Sequence, residues 1–348
     1  MQGLTEELSR KIAALGLVAT LFVVSIHVAY SPKLGSAGFW FYYLIGGEGL
    51  ANVAVPYFFV VSGFMLARHV DVAGWWRKET VKRLRTLLIP YLLWNLIYWS
   101  VFYLPKIISG QIRLTFCGDG GIGKALGLLP FYSPIISHLW FVRSLMLLVL
   151  FSVLLVWMCR TKRIGLLALA VAMIFYFVAP SLYRHYDDWE NWFAVKSFLQ
   201  GIFYFTVGIY LCYHPVTIEH PKWMGGVAFI FGVVLFALRH MLPIIEFQVE
   251  CAAIAFSLIG IWLLLPVLTF PKWLTACSFP IYCLHIFPSA IFVVLARHVF
   301  GLTSSDATTT SCGIYILGIW FVWTTSLGLV LMIRKYIPRF SKIAFGGR

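Results

Sequence analysis

Negative charge is what this sequence has least of. Asp and Glu number 13 in 348 residues, and none lies deep within any of the long apolar runs. A proton-coupled carrier usually strings carboxylates or histidines through its spans, so this absence counts against a transporter without closing that reading. An inverted repeat of broken helices, the other mark of a carrier, is not evident either. The seven cysteines (residues 117, 159, 212, 251, 277, 283 and 312) contain no CxxC pair, which removes the usual zinc and dithiol frameworks, and no metal site is expected. Cys117 and Cys312 fall in loops expected outside, where an oxidising compartment permits a disulfide; unpaired thiols are the simpler expectation. No polar stretch is long enough for a second folded domain, so a single membrane domain is expected over residues 1–348.

Apolar residues are what the sequence has most of: 61% of it is hydrophobic and 18% aromatic, against 11% charged. Runs of about 20 apolar residues, the length that crosses a bilayer core, recur from end to end. They predict an all-α integral membrane protein of about ten transmembrane helices in one bundle. The spans fall near 12–30, 50–68, 86–104, 138–159, 164–181, 197–213, 223–240, 250–270, 276–297 and 313–333. The first run has a basic flank at Arg10 and Lys11, as a signal peptide does. It exceeds a signal core and has no small-residue cleavage site close behind it, so it is read as a true span.

The net charge of +14 does not mark a nucleic-acid binder, because the cations sit in short loops between spans. There they act as topology signals and as contacts to anionic lipid. Arg68, Arg77, Lys78, Lys82, Arg83, Arg85, Arg160, Lys162 and Arg163 collect on one side with the flanks of both termini. Glu48, Glu246 and Glu250 fall on the other. Both termini are therefore expected in the cytoplasm.

Four ionisable residues then lie in or beside the spans. His27 closes the first, His138 opens the fourth, Arg143 lies one to two turns deeper on that helix, and His285 is near the middle of the ninth. An ionisable side chain at membrane depth is a candidate functional group by default. Each also has a plainer reading: a histidine bonded to a neighbouring carbonyl, an interfacial anchor at His138 beside Trp140, an interhelical ion pair at Arg143. Glu48 and Glu250, at outer helix ends, are possible partners for Arg143 or a protonated His27. Trp40, Tyr42, Tyr43, Tyr98, Trp99, Tyr103, Trp189 and Trp192 read mostly as an interface belt, some with rings free to stack on sugars. In the longest loop, GDGGIGKA (Gly118–Ala125) has the glycine and lysine spacing of a P-loop. It lacks the Ser/Thr that holds magnesium and is expected outside, so it is read as a turn.

Five stretches in order carry a family resemblance. They are the first helix ending at His27, VPYFFVVSGFML (Val55–Leu66), KRLRTLLIPYLLWN (Lys82–Asn95), SHLWFVRSL (Ser137–Leu145) and SFPIYCLHIF (Ser278–Phe287). Together they resemble the acyltransferase 3 family of membrane O-acyltransferases, over most of the chain and with the ten-span layout that family implies. The resemblance implies transfer of an acetyl or other short acyl group from cytoplasmic acyl-CoA to hydroxyls of surface glycans or their lipid-linked precursors. It also implies residence in a bacterial inner membrane, with acyl-CoA as donor substrate and no permanently bound cofactor. The expected partners are membrane lipid, the donor and the glycan, and no nucleic acid; the oligomeric state is not readable.

Histidine suits the chemistry, since its ordinary pKa lets it take a hydroxyl proton and release it again. His27 is thus the expected general base, with His138 and Arg143 as further catalytic candidates. Lys82, Arg83 and Arg85 match the phosphates of coenzyme A, and Asn95 the pantetheine arm. His285, Trp140, Glu48 and Glu250 are assigned to the acceptor. In one respect the chain departs from the family, whose first helix carries a cation eleven residues before its histidine: Gly16 stands there. Lys11 is about 160° round the helix from His27, leaving Arg143 as the expected replacement. The competing reading is an exporter of polysaccharide or small solute without acyl chemistry.

Overall fold

The computed structural model describes residues 5–28, 37–70, 74–115, 122, 134–183, 189–216, 218–300 and 309–347. Among them there are helices and turns and no strand. In chain order the helices are α1 (Glu6–His27), α2 (Ala37–Leu44), α3 (Ala54–Ala67), α4 (Trp75–Arg83), α5 (Ile89–Phe102), α6 (Leu104–Ile108), α7 (Trp140–Arg160) and α8 (Lys162–Tyr183). They continue as α9 (Trp189–Tyr213), α10 (Pro221–Leu238), α11 (Glu246–Leu264), α12 (Lys272–Thr275), α13 (Ser278–Leu284), α14 (Ile286–Phe300), α15 (Thr309–Tyr336) and α16 (Pro338–Ala344).

Local signals set the limits of α1. The expected span opens at residue 12, yet the helix begins at Glu6, because Thr5 is extended and its hydroxyl oxygen accepts the Leu8 N–H at 3.2 Å. Glu6 and Glu7 add negative charge at the positive end of the helix dipole. At the far end Val28 turns to extended backbone, so His27 is the last helical residue.

Among the described residues, six helical stretches are long and apolar enough to cross a membrane: Glu6–His27, Leu50–Ala67, Trp140–Arg160, Pro221–Met241, Glu246–Leu264 and Cys312–Tyr336. A seventh, Lys272–Leu284 with Ile286–Ala296, is bent by 65°. The remaining stretches expected to span, near 86–104, 164–181 and 197–213, are helical as α5, α8 and part of α9. Large apolar side chains point outward along α7 (Phe151, Leu154, Trp157), α8 (Leu167, Ile174, Phe175) and α10 (Ile230, Val234). Stripes of this size suit hydrocarbon, not water. The protein is an integral membrane protein.

Contacts gather the chain into two units, Phe59–Val216 with Arg339–Gly347 and Gln2–Phe58 with Thr217–Pro338. In the former, α7, α8 and α9 pack side by side, and α4 lies against α7. The second half of α3 meets α9 backbone to backbone: a Cβ on Gly63 would fall 2.0 Å from the Phe205 carbonyl oxygen, and one on Gly208 would fall 1.9 Å from that of Val60. Between α4 and α5 the helix widens into a π turn, Leu84–Leu88. Pro90 has no N–H to give the Thr86 carbonyl, which explains the widening there. The chain's last helix, α16, is fastened beside it. Trp94 Nε1–H donates to the Ala344 carbonyl at 2.8 Å, and the Trp94 ring stacks on Phe345. Gly346, at φ +65°, crosses Thr86 where any Cβ would meet its carbonyl oxygen at 2.4 Å.

In the other unit, α10 and α11 form the closest helix pair. Helix α1 lies against α13, α15 and the 3₁₀ turn Leu50–Val53 that leads into α3. The ninth expected span is broken, and its sequence explains where. Pro288 lacks the N–H that would bond the Leu284 carbonyl, and its ring crowds that same carbonyl, so the helix bends between Leu284 and Ile286. His285 occupies the break.

Candidate functional site

His27 is held by side chains that cap the exposed carbonyls of a helix end. Ser289 Oγ donates to the His27 carbonyl at 2.8 Å, and the Tyr315 hydroxyl donates to the Ser25 carbonyl at 2.7 Å. The same Tyr315 oxygen accepts the Gly47 N–H at 3.0 Å, which ties the loop before α3 to the end of α1. The Pro288 bend brings the His285 ring to 5.0 Å from that of His27, centroid to centroid, tilted 48°. His285 is fully buried and His27 half-buried. His285 Nδ1 lies 2.7 Å from the Tyr282 carbonyl, which can only accept, so that nitrogen carries the proton and Nε2 the lone pair in the neutral ring. The arrangement is two imidazoles in contact, one anchored behind and one with an accessible side.

At Gly16, where the family's cation is expected, an added Cβ would lie 4.0 Å from the Phe58 ring. Lys11 is spent on the Trp262 ring, 5.0 Å from its centroid. Among the described residues of this unit a buried guanidinium is that of Arg239, 2% exposed, which the sequence reading did not single out. Glu48 and Glu250 face Arg239, at 3.6 and 3.9 Å. Arg239 is thus a partner that both carboxylates share, one that the sequence reading did not offer. Arg239, His240, Glu246 and Glu250 together were a legible signal, a cation at the end of an apolar run followed within three turns by two carboxylates. Tyr42 and Tyr43 belong to this neighbourhood and not to an interface belt: Tyr42 meets the Tyr315 ring at 5.5 Å and Tyr43 the His240 ring at 4.6 Å. Burial first, then the Glu48 carboxylate, hold the Tyr42 phenol above the usual tyrosine range, so it remains a donor at neutral pH.

The remaining candidates lie in the other unit. Tyr91, Asn95 and Tyr98 share a face of α5 and are all buried. Asn95 Nδ2–H donates to the Tyr91 carbonyl at 2.8 Å, and its Oδ1 accepts the Ile135 N–H at 3.0 Å. Its amide thus latches the segment leading to His138. His138 is 1% exposed, edge-on to the Tyr98 ring at 5.5 Å. It is a buried group and not the interfacial anchor that its neighbour Trp140 suggested. Trp140 is half-buried against Phe59 at 6.1 Å. Tyr98 and Trp99, also expected in the belt, are core residues. Arg143, 5% exposed, lies beside the Tyr91 phenol. Lys82 and Arg83 flank a carboxylate that the sequence reading overlooked: Glu79, 6% exposed, at 3.2 and 3.5 Å. Arg85, on the π turn, is exposed. Cys117 and, Ile122 apart, the Gly118–Ala125 stretch lie outside the described residues, as do the side chains of Trp189 and Trp192. Among the described residues no cluster of His, Cys, Asp and Glu is arranged to hold a metal.

A family model described as an acyltransferase domain matches residues 14–333. The chain belongs to the acyltransferase 3 family. This acyltransferase is similar to the succinoglycan biosynthesis protein ExoH of Rhizobium meliloti (strain 1021), at 30% identity over 209 residues. That alignment takes in 57% of this chain and 52% of ExoH, so the chain spans about half the length of the curated relative it matches. No solved structure matches the acyltransferase.

Proposed function

We propose that this acyltransferase is a transmembrane O-acyltransferase that moves an acetyl or other short acyl group from cytoplasmic acyl-CoA to a hydroxyl of a cell-surface glycan or its lipid-linked precursor. The observation that carries this reading is the pairing of half-buried His27 with anchored, fully buried His285 at a helix break. Similarity to a protein of succinoglycan biosynthesis supports a polysaccharide acceptor. We place the protein in a bacterial inner membrane as one domain of about ten spans, with both termini cytoplasmic; the cation-rich inner loops support that orientation.

In the reaction, the acceptor hydroxyl attacks the thioester carbonyl while its proton passes to His27. A carbon–oxygen bond forms, the carbon–sulfur bond breaks, and the proton is returned to the departing thiolate, leaving a glycan ester and free coenzyme A. His285 fixes the position of the His27 ring. His138 and Arg143 stand as further catalytic candidates in their own unit, a buried imidazole and a buried guanidinium of the kind that stabilises negative charge on oxygen. Lys82, Arg83 and Arg85 are assigned to the phosphates of the donor, with Lys82 and Arg85 exposed. Asn95 supports the donor side through its latch on Ile135. Trp140, Glu48 and Glu250 complete the acceptor assignment.

The test is transfer of radiolabelled acetyl from acetyl-CoA to alkali-labile ester on the native glycan in membrane vesicles, with and without this protein. Label that depends on the protein supports the reading. Label-free glycan in vesicles that carry the folded protein and its acceptor contradicts it and favours the exporter.

A further inference from the structure

Helix α4 buries a charge and leaves apolar surface outside. Of its nine residues the buried one is Glu79, while Trp76 and Val81 are exposed. A carboxylate enclosed this far is costly unless cations answer it. Both cations come from the next turn of the same helix. Lys82 Nζ–H donates to Glu79 Oε1 at 3.2 Å, and Arg83 Nε lies 3.5 Å from Oε2. Among the described residues neither Oε2 nor that Nε makes a hydrogen bond, so charge alone holds this side of the pair. The Lys82 side chain is 57% exposed and that of Arg83 is 16% exposed. Because Glu79 meets Arg83 at Nε, the two terminal amino groups of the guanidinium are left for another acceptor. The π turn that follows is fixed from outside. Helix α16 ends in a Schellman motif, with the Gly347 N–H donating to the Lys342 carbonyl at 2.8 Å, and this seats Gly346 on the Thr86 backbone. The backbone beside Arg85 is thereby clamped, and the directions of Lys82 and Arg83 are left to Glu79.

We infer that Glu79 is a positioning residue for the donor: buried beside Lys82 and Arg83, it holds both side chains in the direction in which they meet the phosphates of acyl-CoA. This rests on the acyl-CoA donor proposed above. Glu79 touches no substrate and takes no part in the chemical step. One carboxylate among the cations Lys82, Arg83 and Arg85 leaves the segment positive, so phosphate is still attracted to it. Two opposed effects follow when the carboxylate is removed. Two long side chains are released and must be ordered again at each binding event, which weakens binding by about tenfold. One negative charge near the phosphates also disappears, but that gain is screened by water because Lys82 is more than half exposed. Loss of order is the larger effect, and it falls on the donor's charged end alone.

The experiment uses the full chain in nanodiscs of zwitterionic lipid, with the native glycan as acceptor and two donors. One is acetyl-CoA; the other is S-acetylpantetheine, which keeps the thioester and the arm but has no phosphate. Wild type, Glu79→Gln and Glu79→Asp are compared. Glu79→Gln is expected to raise the KM for acetyl-CoA about tenfold at unchanged kcat, and to leave transfer from S-acetylpantetheine at the wild-type rate. Glu79→Asp, which keeps the charge, restores part of the loss. Both donors meet the same protein, so a variant of lower melting temperature is still read below its transition. An unchanged acetyl-CoA KM overturns the inference. So does an equal loss with both donors, which marks a structural role, or a lower acetyl-CoA KM, which marks a carboxylate competing with phosphate. An effect that needs anionic lipid in the disc overturns it too, because the cations then serve headgroups. If wild type transfers acetyl from neither donor, the proposed reaction fails separately. In that case, or if S-acetylpantetheine alone is silent, calorimetric binding of coenzyme A decides. Binding that weakens about tenfold in Glu79→Gln supports positioning, and equal or absent binding overturns it.

Discussion

Replacing Tyr315 by Phe removes one oxygen atom and keeps the ring, so its effect can be worked from two hydrogen bonds. Tyr315 is 1% exposed. Its hydroxyl donates to the Ser25 carbonyl at 2.7 Å and accepts the Gly47 N–H at 3.0 Å. The Ser25 carbonyl belongs to the last turn of α1, and without the hydroxyl that cap is lost. The Gly47 N–H loses its acceptor in a buried loop. Each orphaned group costs about 1–3 kcal/mol, so the two together predict a loss of about 2–6 kcal/mol, with no cavity contribution because the ring remains. The same change loosens the loop that carries Glu48 and the helix end that carries His27, so acetyl transfer falls as well. Unfolding of the purified chain in mixed detergent, followed by tryptophan fluorescence, measures the first effect, and label transfer at a temperature where the variant is folded measures the second. A Tyr315→Phe protein within about 0.5 kcal/mol of wild type refutes the bridging role.

Three further changes test separate parts of the fold. Gly208→Val places side-chain atoms where the Val60 carbonyl already stands and is expected to destabilise by about 3 kcal/mol or more, whereas Gly226→Ala, with open space around it, stays within about 1 kcal/mol of wild type; unfolding midpoints compare them. Asn95→Ala orphans the Ile135 N–H and is expected to cost about 1–3 kcal/mol and to raise the KM for acyl-CoA; an unchanged donor KM removes Asn95 from the donor side. Pro288→Ala restores the missing N–H for the Leu284 carbonyl, straightens the bend and draws His285 away from His27. Stability is expected to hold or rise by about 1 kcal/mol while label transfer drops at least tenfold, and a wild-type rate removes the His285 contact from the account.

What the sequence reveals is what local chemistry encodes. Apolar runs mark the helices because bilayer thickness sets their length, and Pro288 fixes where one of them breaks. His27 stands out because an ionisable group at the end of an apolar helix is costly. The partners that give His27 its position are not legible in the same way. Ser289 and Tyr315 reach α1 across 262 and 290 residues of chain, and nothing in their neighbourhoods distinguishes them from other hydroxyls in apolar helices. Arg239 taken alone reads as a topology signal at a span boundary, and only the two carboxylates that follow it within three turns single it out. Glu79 escapes notice because it sits among the cations that it neutralises. His138 and Tyr98 were placed at the membrane surface by their aromatic neighbours, while packing between α5 and the turn before α7 puts them in the core.

The most direct test of His27 as the base is single-turnover label transfer from acetyl-CoA to the native glycan at saturating acceptor, comparing wild type with His27→Ala in nanodiscs. The predicted result is a fall in the chemical step of at least about a hundredfold, the range of a lost general base, with donor binding and melting temperature retained. Transfer by folded His27→Ala at the wild-type rate would contradict the account.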